Sequence, residues 1–255
     1  MLLGNPSNAI TDINYPNNYF KNNIYYSIAY NNSRGTSNWV AWHLQSEDLG
    51  STPRQDDFRP DAGLPATFNV IEANAYSGFG FDRGHNCPSA DRTTTIAANS
   101  STFLMSNMIP QAPTLNQGPW DELESYIRNT LVGSSNEAYI YMGVTGAGGV
   151  SPNGPATTIF NGKVTVPAVV WKVAVIFPKG NNDMSRLNSN ATVLAVSMPN
   201  DNGLYTTSGA GRDAWRNYIT TISTIEASVI SPLPRLNILR NVHDSIRNTL
   251  RNKRF

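Results

Sequence analysis

Aromatic and β-branched residues come in short runs over the first half of the chain. "NIYYSIAYN" from Asn23 to Asn31 and "NWVAWHLQ" from Asn38 to Gln45 read as strands. "NSRGTS" between them supplies a glycine turn, so the pair is expected to form a hairpin. A polar loop with Pro53, Pro60 and Pro65 follows, and "STFLMSNMIPQ" from Ser101 to Gln111 reads as a further strand ended by Pro110. The period then changes. Trp120, Leu123, Ile127 and Leu131 recur at helical spacing, with Pro119 in the first turn, Asp121 and Glu122 at the electropositive end, and Gly133 as the stop.

Strand patterns return at "AYIYMGVT", "VVWKVAVIF" and "ATVLAVSM". A short helix "TIEAS" is expected behind Ser223 as its cap. At the end of the chain, residues 235–255 read as a basic helix with Leu239, Val242, Ile246 and Leu250 on one face. Strands outnumber helices and no strand–helix–strand rhythm appears. The expected class is therefore α+β on a mainly antiparallel sheet flanked by helices, with residues 1–255 as a single domain.

Composition changes this picture little. At 255 residues and 40% hydrophobic content the chain can bury a sizeable core, and no apolar run is long enough to span a bilayer. One cysteine excludes an internal disulfide, and no disulfide-linked partner is expected. The start "MLLGNPSNAI" lacks the charged and apolar regions of a signal peptide; residues 1–4 read as an added remnant before a mature start. The abundance of Asn, Ser and Thr suits an exported bacterial protein, secreted or periplasmic. Net charge is only +1, but residues from Arg235 onward carry +5, leaving −4 for the rest. A solvated helix face explains that basic end more simply than an anionic partner does.

The candidate chemistry starts at "GFDRGHNCPSADR", Gly80 to Arg92. Cys87 reads as a buried filler, and one cysteine with three scattered histidines is a poor source of zinc ligands. The glycines at 146–149 lack the Gly-Lys-Ser/Thr of a phosphate-binding loop. His43 and His243 read as packed or solvated residues. His85 stands apart: a neutral imidazole can take a proton from water, Asp82 could orient it, Arg83 could bind an anion, and Gly84 permits a tight backbone. On those four residues alone, a turn with a local ion pair is the better reading. Asn116 ahead of the helix, with Glu124 and Arg128 on it, changes the odds. An amide oxygen suits a magnesium ion that keeps most of its waters, and a nearby carboxylate could hold those waters. The plain alternatives are a helix cap for Asn116 and a surface pair for Glu124 with Arg128.

"DRGH" followed by "PSADRT", then "FLMSNMIPQ", Asn116, and Trp120 to Glu124 with Arg128, resembles the sugar-non-specific DNA/RNA endonucleases, the ββα-metal nucleases that include endonuclease G. Upstream "NPSNA", "NWVAWHL" and "RQDDFRPD" are similar to its bacterial branch. The resemblance implies a ββα-metal core and hydrolysis of DNA and RNA, single- and double-stranded, to 5′-phosphorylated products. It implies His85 as general base, Asp82 as its support, and Asn116 as the direct ligand of a hydrated Mg²⁺, with Mn²⁺ as a substitute. Glu124 would anchor water of that ion, and Arg54, Arg83 and Arg128 would hold phosphate. It leaves room for a dedicated protein inhibitor. The chain departs from many relatives at Asn86 and Cys87, which bears on packing and substrate preference. Two other readings stay open: a non-catalytic nucleic-acid-binding protein on the same scaffold, and a phosphodiesterase of small nucleotides.

Overall fold

The computed structural model describes residues 1–255. Seven strands form one antiparallel sheet: β1 (Tyr19–Asn22), β2 (Ser27–Asn31), β3 (Thr36–Leu44), β6 (Asn136–Thr145), β7 (Val169–Pro178), β8 (Thr192–Pro199) and β9 (Ile219–Thr220), in that spatial order. The expected hairpin is present, with Ile28 opposite Val40 and a register shift at Ala29/Tyr30. The central strands are apolar on both faces because both faces are covered. Val40, Trp42 and Leu44 of β3, with Ile140, Met142 and Val144 of β6, point to one core. Trp39, Ala41 and Tyr141, with Trp171, Val173 and Val175 of β7, point to the other.

The first core lies under a helical run, α2, over residues 113–132. Its segments are Pro113–Leu115, Asn116–Trp120, Asp121–Ser125 and Tyr126–Val132, the second and fourth of them π-helical. Leu115, Trp120, Leu123, Ile127 and Val132 pack it on the sheet. This helix starts earlier than the period predicts, since Pro113, not Pro119, occupies the first turn. Gly118 breaks the run with φ −107° and ψ −112°, and a Cβ there would stand 2.5 Å from the Thr206 carbonyl oxygen. That close approach explains a glycine in mid-helix.

The second core is closed by both ends of the chain. Leu3 is buried there beside Ile238, Leu239 and Val242, and Gly4 O accepts from Tyr141 Oη. Leu3 and Gly4 are buried in the fold, whereas Met1 and Leu2 are exposed. The expected helix over 235–255 is also corrected: only α4 (Asp244–Asn252) is helical. His243 caps it, its Nδ1 accepting from the Ser245 amide, while the apolar side chains just before it fill the core from turns. Its basic residues are engaged rather than simply solvated. Arg251 pairs with the buried Glu226, and Lys253 Nζ donates to three backbone carbonyls, at Ser189, Asn190 and Ala191. The helix α3 (Ile222–Ser228) is capped by Thr221, whose side chain accepts from the Thr224 amide, not by Ser223.

A small hairpin stands beside the sheet: β4 (Asp82–His85) antiparallel to β5 (Met108–Gln111), with His85 opposite Met108. Together with α2 it makes the ββα unit. The stretch from Ser101 is strand only from Met108 onward. Before it come α1 (Ile96–Ser101), capped by Thr95, and a turn at Met105–Asn107. Phe103 and Met105 are buried under the neighbouring layers, Phe103 against Arg54 and Phe58, which accounts for the misleading apolar run. No helix is long and apolar enough to cross a membrane.

Candidate active site

Two buried asparagines fix the hairpin to its surroundings. Asn107 Oδ1 accepts from the Cys87 amide at 3.0 Å, and its Nδ2 donates to the carbonyls of Cys87 and Thr102 at 2.9 and 2.8 Å. Asn200 Nδ2 donates to the carbonyls of Pro110 and Pro167, and its Oδ1 accepts from the Ala112 amide at 2.7 Å. Backbone groups left over at the end of β5 and the start of α2 are thereby satisfied inside the protein. Gly84 is required for a different reason than expected. Its backbone is ordinary strand, but a Cβ would stand 2.7 Å from Gln111 Cβ and clash with that side chain's amide oxygen, so the demand is steric.

This frame places Arg54, Arg83, His85, Asn116, Glu124 and Arg128 around one cleft of about 330 Å³, with Gln117 and Asp121 at its wall. The seventh expected residue, Asp82, lies just behind. It does not touch His85. Its Oδ2 accepts from Asn116 Nδ2 and from Gln117 Nε2, both at 2.8 Å. Successive strand residues point to opposite faces, and here Asp82 turns to the helix while His85 turns to the aromatic side. A carboxylate only accepts, so the Asn116 NH₂ group must face Asp82 and the amide oxygen is turned away from it. Asn116 itself is in helical backbone, at the end of the first segment of α2 rather than before the helix.

His85 packs edge-on against Phe103 and Phe58, with ring centroids at 5.0 and 5.8 Å. Its Nε2 is shut off from solvent with no hydrogen-bond partner. Burial, helped by the charges of Arg54 and Arg83, lowers its pKa to about 3, so the ring is neutral at neutral pH. The unfolded chain takes the extra proton, so stability falls as pH drops below 6.5 towards about 3. Between pH 7 and pH 4 wild type should lose up to roughly 3 kcal/mol more than His85→Leu. Urea unfolding at the two pH values checks this; parallel losses would show that the histidine is not desolvated.

The arginines are held by different means. Arg83 lies over Phe58, its Cζ 3.6 Å from the ring centroid. Arg54 is fixed by Asp56 and by Ser89 Oγ, at 2.6 and 2.8 Å. Arg128 Nε donates to Asp91 Oδ1 at 2.9 Å, and Asp91 Oδ2 accepts from Trp42 Nε1. Glu124 and Arg128 therefore form no surface pair. Glu124 bonds instead to Lys172 Nζ at 2.6 Å; burial raises its pKa and the lysine opposes that shift. Asp91 and Lys172 are the residues that sequence reasoning missed. A signal existed for Lys172, a lone charge in the middle of "VVWKVAVIF". Cys87 is buried in the main core, where burial pushes its thiol up, in keeping with a packing role.

The donor set fits a hydrated divalent ion. Asn116 offers a neutral amide oxygen and Glu124 a carboxylate oxygen, Oε2, that no protein group occupies. A second group, His43, Glu137 and Asp183, brings three potential ligand atoms within 4.8 Å of one another. Arg186 already stands there, donating to Glu137 and to Asp183, so the position of a cation is taken by its guanidinium.

Comparison with known proteins identifies the family. The pattern of the DNA/RNA non-specific endonuclease family matches residues 5–244. The chain is 41% identical over 253 residues to a nuclease of Nostoc sp., covering 99% of this chain and 85% of that one. It is 32% identical over 161 residues to human mitochondrial endonuclease G, covering 61% of this chain and 54% of that protein. Among solved structures, a chain from the EndoG/EndoGI complex superposes with a TM-score of 0.69 at 20% identity, over 88% of this chain and 86% of that one, which shows the shared fold. This chain belongs to the DNA/RNA non-specific endonuclease family, and it is an endonuclease.

Proposed function

We propose that the protein hydrolyses both DNA and RNA, with a hydrated Mg²⁺, to 5′-phosphorylated products. The observation that carries this reading is the convergence of one neutral imidazole, two oxygen donors and three arginines on a single cleft. Asn116 would hold the ion directly and Glu124 would hold its water shell; the ion supplies charge stabilisation for the phosphate and the departing 3′ oxygen. The remaining work falls to the chain's own residues. His85 Nε2 is closed off, so with the ring proton there the lone pair of Nδ1 serves as base. It takes the proton of a water whose oxygen adds in line to phosphorus as the bond to the 3′ oxygen breaks. Arg54, Arg83 and Arg128 bind the phosphate oxygens. Asp82 acts on Asn116, not on His85, and keeps the amide oxygen turned towards the cleft.

Contacts of this kind fall on phosphates, which carry no base information, so indifference to sequence and sugar follows. Incubation of plasmid, single-stranded DNA and RNA with Mg²⁺ should cut all three, and EDTA should stop cleavage. The rate at low substrate should fall steeply with added salt. Salt-dependent binding without cleavage would instead favour a pure binding protein, and turnover of small diesters alone would favour a phosphodiesterase.

A further inference from the structure

Lys172 occupies an improbable position. It lies in mid-β7, opposite Met142 on β6 and Val196 on β8, with Val170, Ala174 and Ile176 on the same face. Its side chain is 2% exposed. An ammonium group there carries a desolvation penalty of several kcal/mol, roughly, and apolar replacements of such pairs are often neutral or stabilising. Fold stability is therefore a poor reason for a lysine here. What surrounds Nζ is more informative. It donates to Glu124 Oε1 at 2.6 Å and sits 4.7 and 5.6 Å from the ring centroids of Trp120 and Trp42. One oxygen of Glu124 is thus occupied from the sheet side, and Oε2 has no protein partner.

Resting on the nuclease reading above, we infer that Lys172 is a positioning residue that confines Glu124 to a single free oxygen, so that the acid holds a divalent ion through its water shell and leaves direct coordination to Asn116. A carboxylate with both oxygens free can swing or chelate, and a second direct ligand would strip waters from the ion and hold it too tightly for turnover. The lysine also offsets the negative charge of Glu124, which tempers its attraction for the ion. Trp42 ties this arrangement to the neighbouring arginine, because its ring faces Lys172 while its indole N–H holds Asp91, the partner of Arg128.

The test uses Mn²⁺ as the probe, its binding to the whole protein followed by loss of the free-ion electron paramagnetic resonance signal. Lys172→Met should bind Mn²⁺ about tenfold more tightly while kcat on DNA falls at least tenfold and KM stays within about threefold. Lys172→Arg, which keeps the charge and the donor, should restore most of kcat and the wild-type Mn²⁺ affinity. In a Glu124→Gln background the Lys172→Met change should move Mn²⁺ affinity less than about threefold, because the two residues act as one unit. Wild-type Mn²⁺ binding and kcat in Lys172→Met overturn the proposal, as does weaker Mn²⁺ binding in both Lys172 variants. An equal effect with and without Glu124 also overturns it. If wild type itself neither binds Mn²⁺ nor cuts, the metal-dependent reading of the cleft fails and this role falls with it.

Discussion

His85→Ala should lower kcat on plasmid DNA and on RNA by about a hundredfold or more while leaving KM within a few-fold of wild type. The split follows from where the histidine sits. The three arginines are anchored independently of it, by Asp56 and Ser89, by Phe58, and by Asp91, so phosphate binding survives the truncation. The histidine contributes an acceptor for one proton, held at the cleft by edge contacts with Phe58 and Phe103. Alanine removes the acceptor and leaves a space between those rings. Free imidazole added to the variant should enter that space and restore part of the rate, which distinguishes loss of a base from collapse of the cleft. Circular dichroism should show the folded state unchanged. A variant that cuts as fast as wild type would remove the histidine from the chemistry, and with it the reading of the cleft as a general-base site.

The sheet strands were legible because both periodicity and composition pointed the same way. Val169–Phe177 and Ala138–Thr145 are apolar on both faces, and each became a central strand with ends within two residues. Failures arose where burial comes without the expected secondary structure. Phe103, Leu104 and Met105 are apolar yet form no strand, packing under neighbouring layers, and Leu236 to Val242 fill a core from turns. The candidate residues stand out by their ordered spacing, and all seven meet at or beside one cleft. Their partners were not. Asp82 was expected on His85 and binds Asn116, and Glu124 was expected beside Arg128 but bonds a lysine from a strand nearly fifty residues later. Pairings across such separations depend on how helix and sheet are stacked, which local pattern does not encode.

Asp91→Ala should destabilise the protein by roughly 3–5 kcal/mol, an unusually large effect for one surface-adjacent turn residue. The side chain is almost fully buried, and each of its oxygens has one partner: Arg128 Nε on Oδ1 and Trp42 Nε1 on Oδ2, both at 2.9 Å. Alanine would leave a guanidinium that is only 12% exposed without its hydrogen-bonded carboxylate, and an indole N–H with no acceptor. Most of the loss is the penalty of the abandoned charge rather than the worth of the bond. The double variant Asp91→Ala/Arg128→Met should therefore be more stable than Asp91→Ala alone, recovering half or more of the difference in urea unfolding midpoint. Activity should not recover with it, since an arginine of the cleft, proposed to bind phosphate, is gone. Asp91→Asn separates the two contacts: it keeps an acceptor for Trp42 but not the charge for Arg128, and should fall between wild type and alanine. If Asp91→Ala unfolds within about 1 kcal/mol of wild type, Arg128 has another counter-charge or free access to water, and the buried pair is not what fixes it at the cleft.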